Sequence, residues 1–421
     1  MKRALVLSGG GSRGAYEIGA WRALRELGVR FQGVYGTSIG ALNAALVARG
    51  DVDAAVKLWQ NISISQILTV EDEEDFAIER MVSNKRDVLP FLVENARHLR
   101  MDISPLENMV RAECDEGAIR ASGMELGVMT FRVPQMQGVP VRLSALGPGE
   151  LGDWVIASAS CFPIFPARHI GGQRYIDGGY YDNLPVDMAL QDGADEVVAV
   201  ELHPELTHPE YARMPWLKII RPRHTLGGFL DFNPNLMARS LRLGYQDAMK
   251  VYGRFDGWRY TFRHVDPLAV ADAARRYLRA VTAFDAEFMR RGALYSGHPV
   301  NAPLLSAIEA ETGGEKLGWK DVWLRGLELC AEVLGCREDA IYAPEAMIGH
   351  ARAWSDAHPL EGELNESKLH AAWKAGPRET LALLVNWLDG HGSFPQSVAS
   401  RLAELPRETA AALFVKAVQS A

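Results

Sequence analysis

Two short glycine-punctuated stretches near the start of the chain constrain its backbone more than any other feature. They are Gly9-Gly10-Gly11-Ser12-Arg13-Gly14 and Gly36-Thr37-Ser38-Ile39-Gly40, each set between a β-branched apolar run and a helical pattern. A serine that projects from a sharp strand-to-helix turn needs neighbours without side chains, and Gly36 and Gly40 supply them around Ser38. The second stretch therefore reads as a nucleophile elbow, with Ser38 the candidate nucleophile of acyl-transfer chemistry.

The surrounding pattern fits that placement. Apolar strand-like runs at Arg3 to Leu7, Gly33 to Tyr35, Glu125 to Arg132, Glu196 to Leu202 and Leu217 to Arg221 alternate with helical patterns such as Ala15 to Leu27 and Ala41 to Ala48. This alternation predicts an α/β fold, a three-layer α/β/α sheet with helices on both faces. Chemistry in such folds sits at the carboxyl ends of the strands, where both glycine stretches fall. From Asn235 to Tyr252, Met237, Leu241, Tyr245, Met249 and Tyr252 recur at near i, i+4 spacing and predict an amphipathic helix packed on the core. The acidic run Glu71 to Asp75 reads as a solvated loop or helix start rather than a metal site.

Ser296-Gly297-His298-Pro299 reads as a linker, which divides the chain into a domain over residues 1–295 and an all-helical C-terminal domain over 296–421. Gly313, Gly335, Gly376 and Gly390 fall where helix C-caps belong. Trp319, Trp323, Trp354, Trp373 and Trp387 are expected in its core, and Pro377-Arg378-Glu379-Thr380 recurs as Pro406-Arg407-Glu408-Thr409, each copy opening an apolar helix.

Bulk properties exclude several classes. In 421 residues, 48% hydrophobic, the net charge is −8, so no basic face calls for nucleic acid. Cys114, Cys161, Cys330 and Cys336 are scattered without zinc spacing and read as free thiols, and no metal or organic cofactor is expected. The N-terminal apolar run is too short for a signal peptide, which predicts a cytoplasmic site of synthesis, with signal-free export left open. No stretch approaches the roughly 18 apolar residues needed to span a bilayer, so membrane contact is expected to be peripheral. A basic amphipathic helix, the usual device for such contact, is absent.

A serine hydroxyl needs a base. The order serine, aspartate, histidine of an α/β-hydrolase would draw on His169, His203 or His224, but a single strand before the Ser38 strand is early for that fold. Tyr175-Ile176-Asp177-Gly178-Gly179 points elsewhere: a strand runs into an aspartate that two glycines free to approach Ser38 directly. Asp153, Asp182 and Asp187 lack that context and read as caps or surface charges.

The three motifs, in this order, resemble the patatin-like phospholipase family, with its Gly-Gly-Gly-x-Arg/Lys-Gly loop, Gly-x-Ser-x-Gly elbow and Asp-Gly-Gly/Ala segment. Ala157 to Pro163 and Leu243 to Ala248 are also similar to family segments, so the resemblance covers roughly residues 1 to 255. It implies a Ser38–Asp177 dyad without histidine, Gly178 and Gly179 supporting the aspartate. It also implies an oxyanion hole drawn from Gly9, Gly10, Gly11, Ser12, Arg13 and Gly14, with Arg13 orienting the loop or meeting a phosphate. The implied substrate is a lipid or phospholipid ester, cleaved by a serine acyl hydrolase of phospholipase A or lysophospholipase type. For a carboxylate to serve as base, partial desolvation is expected to raise the pKa of Asp177 and bring it into contact with Ser38.

Other readings stay open. The fold could serve as a catalytically silent or activator-dependent interaction protein. The C-terminal helices could cover the site, form a homo-oligomer or bind an activating partner. The first glycine stretch also spells a dinucleotide-binding fingerprint, but the expected acid at the end of the second strand is replaced by Gly36-Thr37-Ser38.

Overall fold

A computed structural model describes residues 1–70, 101–203, 205–296, 303–309 and 318–419. The acidic run Glu71 to Asp75, Gly313 and the linker residues Gly297 to Pro299 lie outside these residues. The chain forms two compact units, Met1–Tyr252 and Gly253–Ala421.

The first unit begins with β1 (Arg3–Leu7), α1 (Ala15–Glu26), β2 (Gly33–Thr37), α2 (Ile39–Arg49) and α3 (Val52–Asn61). A short ladder of β3 (Thr69–Val70) and β4 (Met101–Asp102) leads to α4 (Ser104–Glu113), α5 (Glu116–Ala121), β5 (Glu125–Val133) and β6 (Gln137–Arg142). Then come α6 (Leu151–Ser158), β7 (Arg168–Ile170), β8 (Gln173–Asp177), α7 (Val186–Gln191), β9 (Glu196–Val200), β10 (Leu217–Ile220) and α8 (Pro234–Val251).

The main sheet has eight strands in the order β10-β9-β1-β2-β5-β8-β7, with β6 also paired to β5. From β10 to β5 it is parallel, and its central strands are apolar and buried because helices cover both faces. On one face Ala4, Val6, Tyr35 and Met129 pack against Val186, Met188 and Ala189 of α7. Helix α2 packs on β1, β2 and β5, α6 packs on β5, β8 and β7, and α8 lies along α1. The expected helix from Asn235 is this α8, whose Met237, Leu241 and Met249 are buried.

The second unit holds a small sheet of β11 (Phe255–Asp256), β12 (Thr261–Arg263) and β13 (Ile341–Tyr342). Its helices are α9 (Pro267–Ser296), α10 (Pro303–Glu309), α11 (Trp319–Val333), α12 (Pro344–Ala357), α13 (Glu366–Ala375), α14 (Pro377–His391), α15 (Ala399–Ala403) and α16 (Pro406–Gln419). Its core gathers Tyr277, Leu327, Leu384 and Phe414, with Phe414 edge-on to both Tyr277 and Trp323. Buried Glu328 ties the loop before β12 to α11, its Oε1 accepting the amides of Trp258, Arg259 and Tyr260 at 2.6, 2.7 and 3.0 Å.

Three expectations change here. The units part at Tyr252/Gly253 rather than at residue 296, because α9 buries Val270, Ala274, Tyr277 and Val281 in the second unit's core. Gly390 lies inside α14, which Gly392 ends at φ 76. Trp323 and Trp387 are core residues, but Trp319 and Trp373 are exposed. Gly335 does follow α11 in the left-handed region, and both Pro-Arg-Glu-Thr copies start helices, α14 and α16, that pack together.

Candidate active site

The register of β5 sets the site. Strand β6 occupies one edge of β5 from Gly127 to Arg132, so β2 and β8 must share the other. Parallel β2 climbs that edge and ends with Thr37 opposite Met129, while antiparallel β8 descends it and ends with Asp177 opposite Thr130. The two carboxyl ends therefore meet head-on beside adjacent residues of β5. Ser38 follows one end and Asp177 is the other, which brings together side chains 139 residues apart: Ser38 Oγ donates to Asp177 Oδ2 at 2.6 Å, both residues buried.

The elbow is strained in the manner its glycines imply. Ser38 sits at φ 55, ψ −124, a conformation costly for a residue with a side chain, between β2 and the first turn of α2. A Cβ on Gly36 would lie 2.1 Å from the Gly40 carbonyl oxygen, and one on Gly40 would lie 2.5 Å from that of Leu7, so the turn closes only with glycine at both places. The Ser38 amide donates to Ser158 Oγ at 2.9 Å, and that hydroxyl donates to the Met129 carbonyl at 2.7 Å, fastening the elbow to β5.

Burial dominates the electrostatics of Asp177. It lifts the carboxyl to about 6, against the opposing pull of the hydrogen bonds from Ser38 and from the Gly179 amide, which Oδ1 accepts at 2.8 Å. The neighbouring Cys161 thiol is pushed up to about 12, first by burial and then by the Asp177 charge. Among the described residues no cation pairs with Asp177, so both its oxygens are held by neutral donors.

The glycine stretch lies against the elbow: a Cβ on Gly9 would come within 3.1 Å of Ser38 Cβ. Its members differ in what their backbone can offer. The Gly9 amide donates to the Asn183 carbonyl at 3.0 Å, that of Ser12 to the Phe229 carbonyl at 2.8 Å, and that of Arg13 to Gly10 at 3.4 Å. The Gly10 and Gly11 amides have no partner among the described residues. Gly11 sits at φ +62, and its added Cβ would fall 2.2 Å from the Phe229 carbonyl oxygen. Arg13 Nε donates to the Gly227 carbonyl at 3.1 Å and Ser12 Oγ to that of Gly228 at 2.8 Å, so both side chains anchor the loop. Gly14 closes the turn into α1, where its carbonyl accepts from Asn43 Nδ2 at 3.0 Å.

The remaining candidates stand apart from the dyad. Asp153 pairs with Arg111 and Arg168, Asp187 accepts from Tyr211, and Asp182 meets His208, whose imidazole that contact pushes up to about 9. Among the described residues, the side-chain hydrogen-bond partners of Ser38 and Asp177 include no histidine, so His169, His203 and His224 take no part in the dyad's hydrogen bonding. No group of three or more His, Cys, Asp or Glu residues able to hold a metal occurs among the described residues.

Sequence reasoning missed four supports. Ser158 lies within the quoted Ala157 to Pro163 segment. Asn183 follows the Asp-Gly-Gly segment and holds Gly9 twice, its Nδ2 donating to the Gly9 carbonyl at 3.1 Å. Buried Glu17 accepts from Asn43 at 2.8 Å, and burial holds its carboxyl well above the usual range. The Gly227 to Phe229 carbonyls carry no side-chain signal at all and could not be found from residue types.

Comparison with known proteins agrees with this region. Residues 5–190 match the family model described as Patatin-like phospholipase. Patatin-like phospholipase domain-containing protein 7 of Rattus norvegicus is 29% identical over 208 residues, covering 47% of this chain and 13% of that protein. Lysophospholipase NTE1 of Coccidioides immitis (strain RS) is 30% identical over 201 residues, covering 47% and 11%. The chain thus spans about an eighth of the length of these curated relatives. The solved structure of VipD from Legionella pneumophila aligns with a TM-score of 0.40 at 14% identity, covering 94% of this chain and 92% of that one. The likeness to the Patatin-like phospholipase family thus rests on residues 5–190, which hold the first glycine stretch, the elbow at Ser38 and the Asp177-Gly178-Gly179 segment.

Proposed function

We propose that the protein is a serine acyl hydrolase that cleaves lipid ester bonds, of phospholipase A or lysophospholipase type. The observation that carries this reading is the buried 2.6 Å hydrogen bond from Ser38 Oγ to Asp177 Oδ2 at the meeting of two strand ends. Lipid esters are favoured by the family match and by the lysophospholipase named among the relatives.

Ser38 Oγ attacks the ester carbonyl as its proton passes to Asp177 Oδ2, and the carbonyl π electrons move onto oxygen. The Gly10 and Gly11 amides, uncommitted elsewhere, receive that negative charge; one such donor is worth about 3 kcal/mol in the transition state. Collapse expels the alcohol, which takes the proton from Asp177, and leaves the acyl group on Ser38. Water then attacks the acyl carbon, giving its proton to Asp177; collapse of the second intermediate breaks the Ser38–acyl bond, returns that proton to Ser38 Oγ and releases the fatty acid.

A carboxyl lifted to about 6 is a stronger base than one at its ordinary value and is still ionised at neutral pH. The test is hydrolysis of a short-chain p-nitrophenyl ester and of a lysophospholipid by wild type, Ser38→Ala and Asp177→Asn, each checked by circular dichroism. Activity in the wild type and its loss in both folded variants supports the reading, whereas an active Ser38→Ala overturns it.

A further inference from the structure

Acids are unevenly spread in this chain. They number 53 in 421 residues, yet none occurs between Glu125 and Glu150, nor between Asp153 and Asp177. These two stretches build β5, β6, β7 and β8, the part of the sheet that extends past the site.

The same part carries a cluster of exposed apolar side chains. Met136, in the β5–β6 turn, is 71% exposed, and Phe162, Tyr180 and Tyr181 are 45%, 53% and 63% exposed. Phe162, Tyr180 and Tyr181 lie beside the site, and Met136 is two residues before Gly138, where an added Cβ would meet the Tyr181 ring at 2.2 Å. Tyr180 and Tyr181 follow Asp177 by three and four residues, the Tyr180 hydroxyl donates to the Phe162 carbonyl, and Tyr181 stacks on Phe131 of β5 at 6.5 Å.

Register adds positive charge to this surface. Phe131 pairs with Ile176, so Val133, Arg174 and His169, two residues on or directly across, project to the same face of the sheet as Phe131 and the Tyr181 stacked on it. Arg174 and His169 are exposed, and Arg174 has no ion-pair partner among the described residues. Aromatic side chains with a polar tip, a methionine at a loop tip and an arginine without an ion-pair partner, beside strands whose stretches carry no acids, are the chemistry of the boundary between headgroups and acyl chains of an anionic bilayer.

We propose that Met136, Phe162, Tyr180 and Tyr181, with Arg174 and His169, form a docking surface for an anionic phospholipid bilayer, seating the Ser38 site at the lipid surface. It rests on the reading of the protein as a lipid ester hydrolase, from which it takes its occupant. Continuity with the dyad and the missing acids select a bilayer over an apolar protein partner. No helix among the described residues is long and apolar enough to cross a membrane, so this surface works by peripheral contact.

The test is co-sedimentation of the full chain, as Ser38→Ala, with vesicles of phosphatidylcholine alone and of phosphatidylcholine and phosphatidylglycerol at about 7:3. Binding is expected on the mixed vesicles and to weaken with salt. Arg174→Glu should lower it about tenfold, and a Met136→Asn/Phe162→Ser/Tyr181→Ser variant at least as much. Asparagine tolerates the left-handed backbone at Met136, so Met136→Asn alone, at an exposed turn, serves if the triple variant fails to fold.

In a Ser38 background the same variants should hydrolyse a soluble short-chain ester at the wild-type rate, which also reports intact folding. Equal sedimentation of the apolar variants, or binding lost only with Arg174→Glu, overturns the proposal. A protein that hydrolyses the soluble ester yet binds neither vesicle loses the docking surface and keeps the proposed function. One that binds through these residues but cleaves no ester loses the function and keeps the surface.

Discussion

Asp177 should make the protein less stable at neutral pH than it would be without the charge. In the fold its carboxyl is lifted from 3.8 to about 6, so the folded chain holds the proton more tightly than the unfolded one. The sign follows: the stability linked to protonated Asp177 is fully present below pH 3.8 and is lost as pH rises through about 6. The shift is about 2 pH units at 1.36 kcal/mol each, so the ionised group costs about 3 kcal/mol above pH 7.

Asparagine can satisfy both contacts without charge, its Oδ1 accepting from the Gly179 amide and its Nδ2 donating to Ser38 Oγ. Asp177→Asn should therefore gain about 1–3 kcal/mol at pH 7.5 and nothing at pH 4. Urea midpoints of the two full chains, compared between these pH values, read the difference directly. A gap independent of pH, or an Asp177→Asn protein weaker at pH 7.5, would refute the claim that burial of this charge is what lifts its pKa.

Three further outcomes are expected. If Asp177 is the base, kcat/KM of the wild type should rise with pH through an apparent pKa near 6, and a flat profile from pH 5 to 8 would remove it from that role. Gly11→Ala, placing a Cβ 2.2 Å from the Phe229 carbonyl oxygen at φ +62, should lower kcat about 100-fold and move KM little, as initial-rate measurements would reveal. Ser158→Ala leaves the Ser38 amide and the Met129 carbonyl without their buried partner, and should cost about 1–3 kcal/mol in denaturant unfolding together with a fall in kcat.

Strands β1, β2 and β8 were legible because apolar runs end at glycines, where the chain can turn sharply, and those same ends carry Ser38 and Asp177. The choice of Asp177 over Asp182 rested on the same signal. Hidden from sequence was the register of β5, which alone decides that β2 and β8 end opposite neighbouring residues. β6 was missed since Pro140 and its glycine blur the strand pattern, and β7 has only three residues. The unit boundary was misplaced because Gly253 stands alone, whereas Ser296 to Pro299 offers a conspicuous turn signal at the end of a long helix. The proposed bilayer contact escaped the search for a basic helix, being spread over strand turns whose charge is marked by missing acids rather than by clustered lysines.

The head-on meeting of β2 and β8 also bears on how the protein becomes competent. Ser38 and Asp177 touch only after two long-range pairings have formed on one edge of β5, one parallel and one antiparallel. Such non-local contacts are slow steps in folding, since loop closure precedes any gain from pairing. The Ser38–Asp177 contact is therefore a late event, and on refolding the helical signal should return before the site does. That order leaves the Ser38–Asp177 pair unassembled until the sheet is complete.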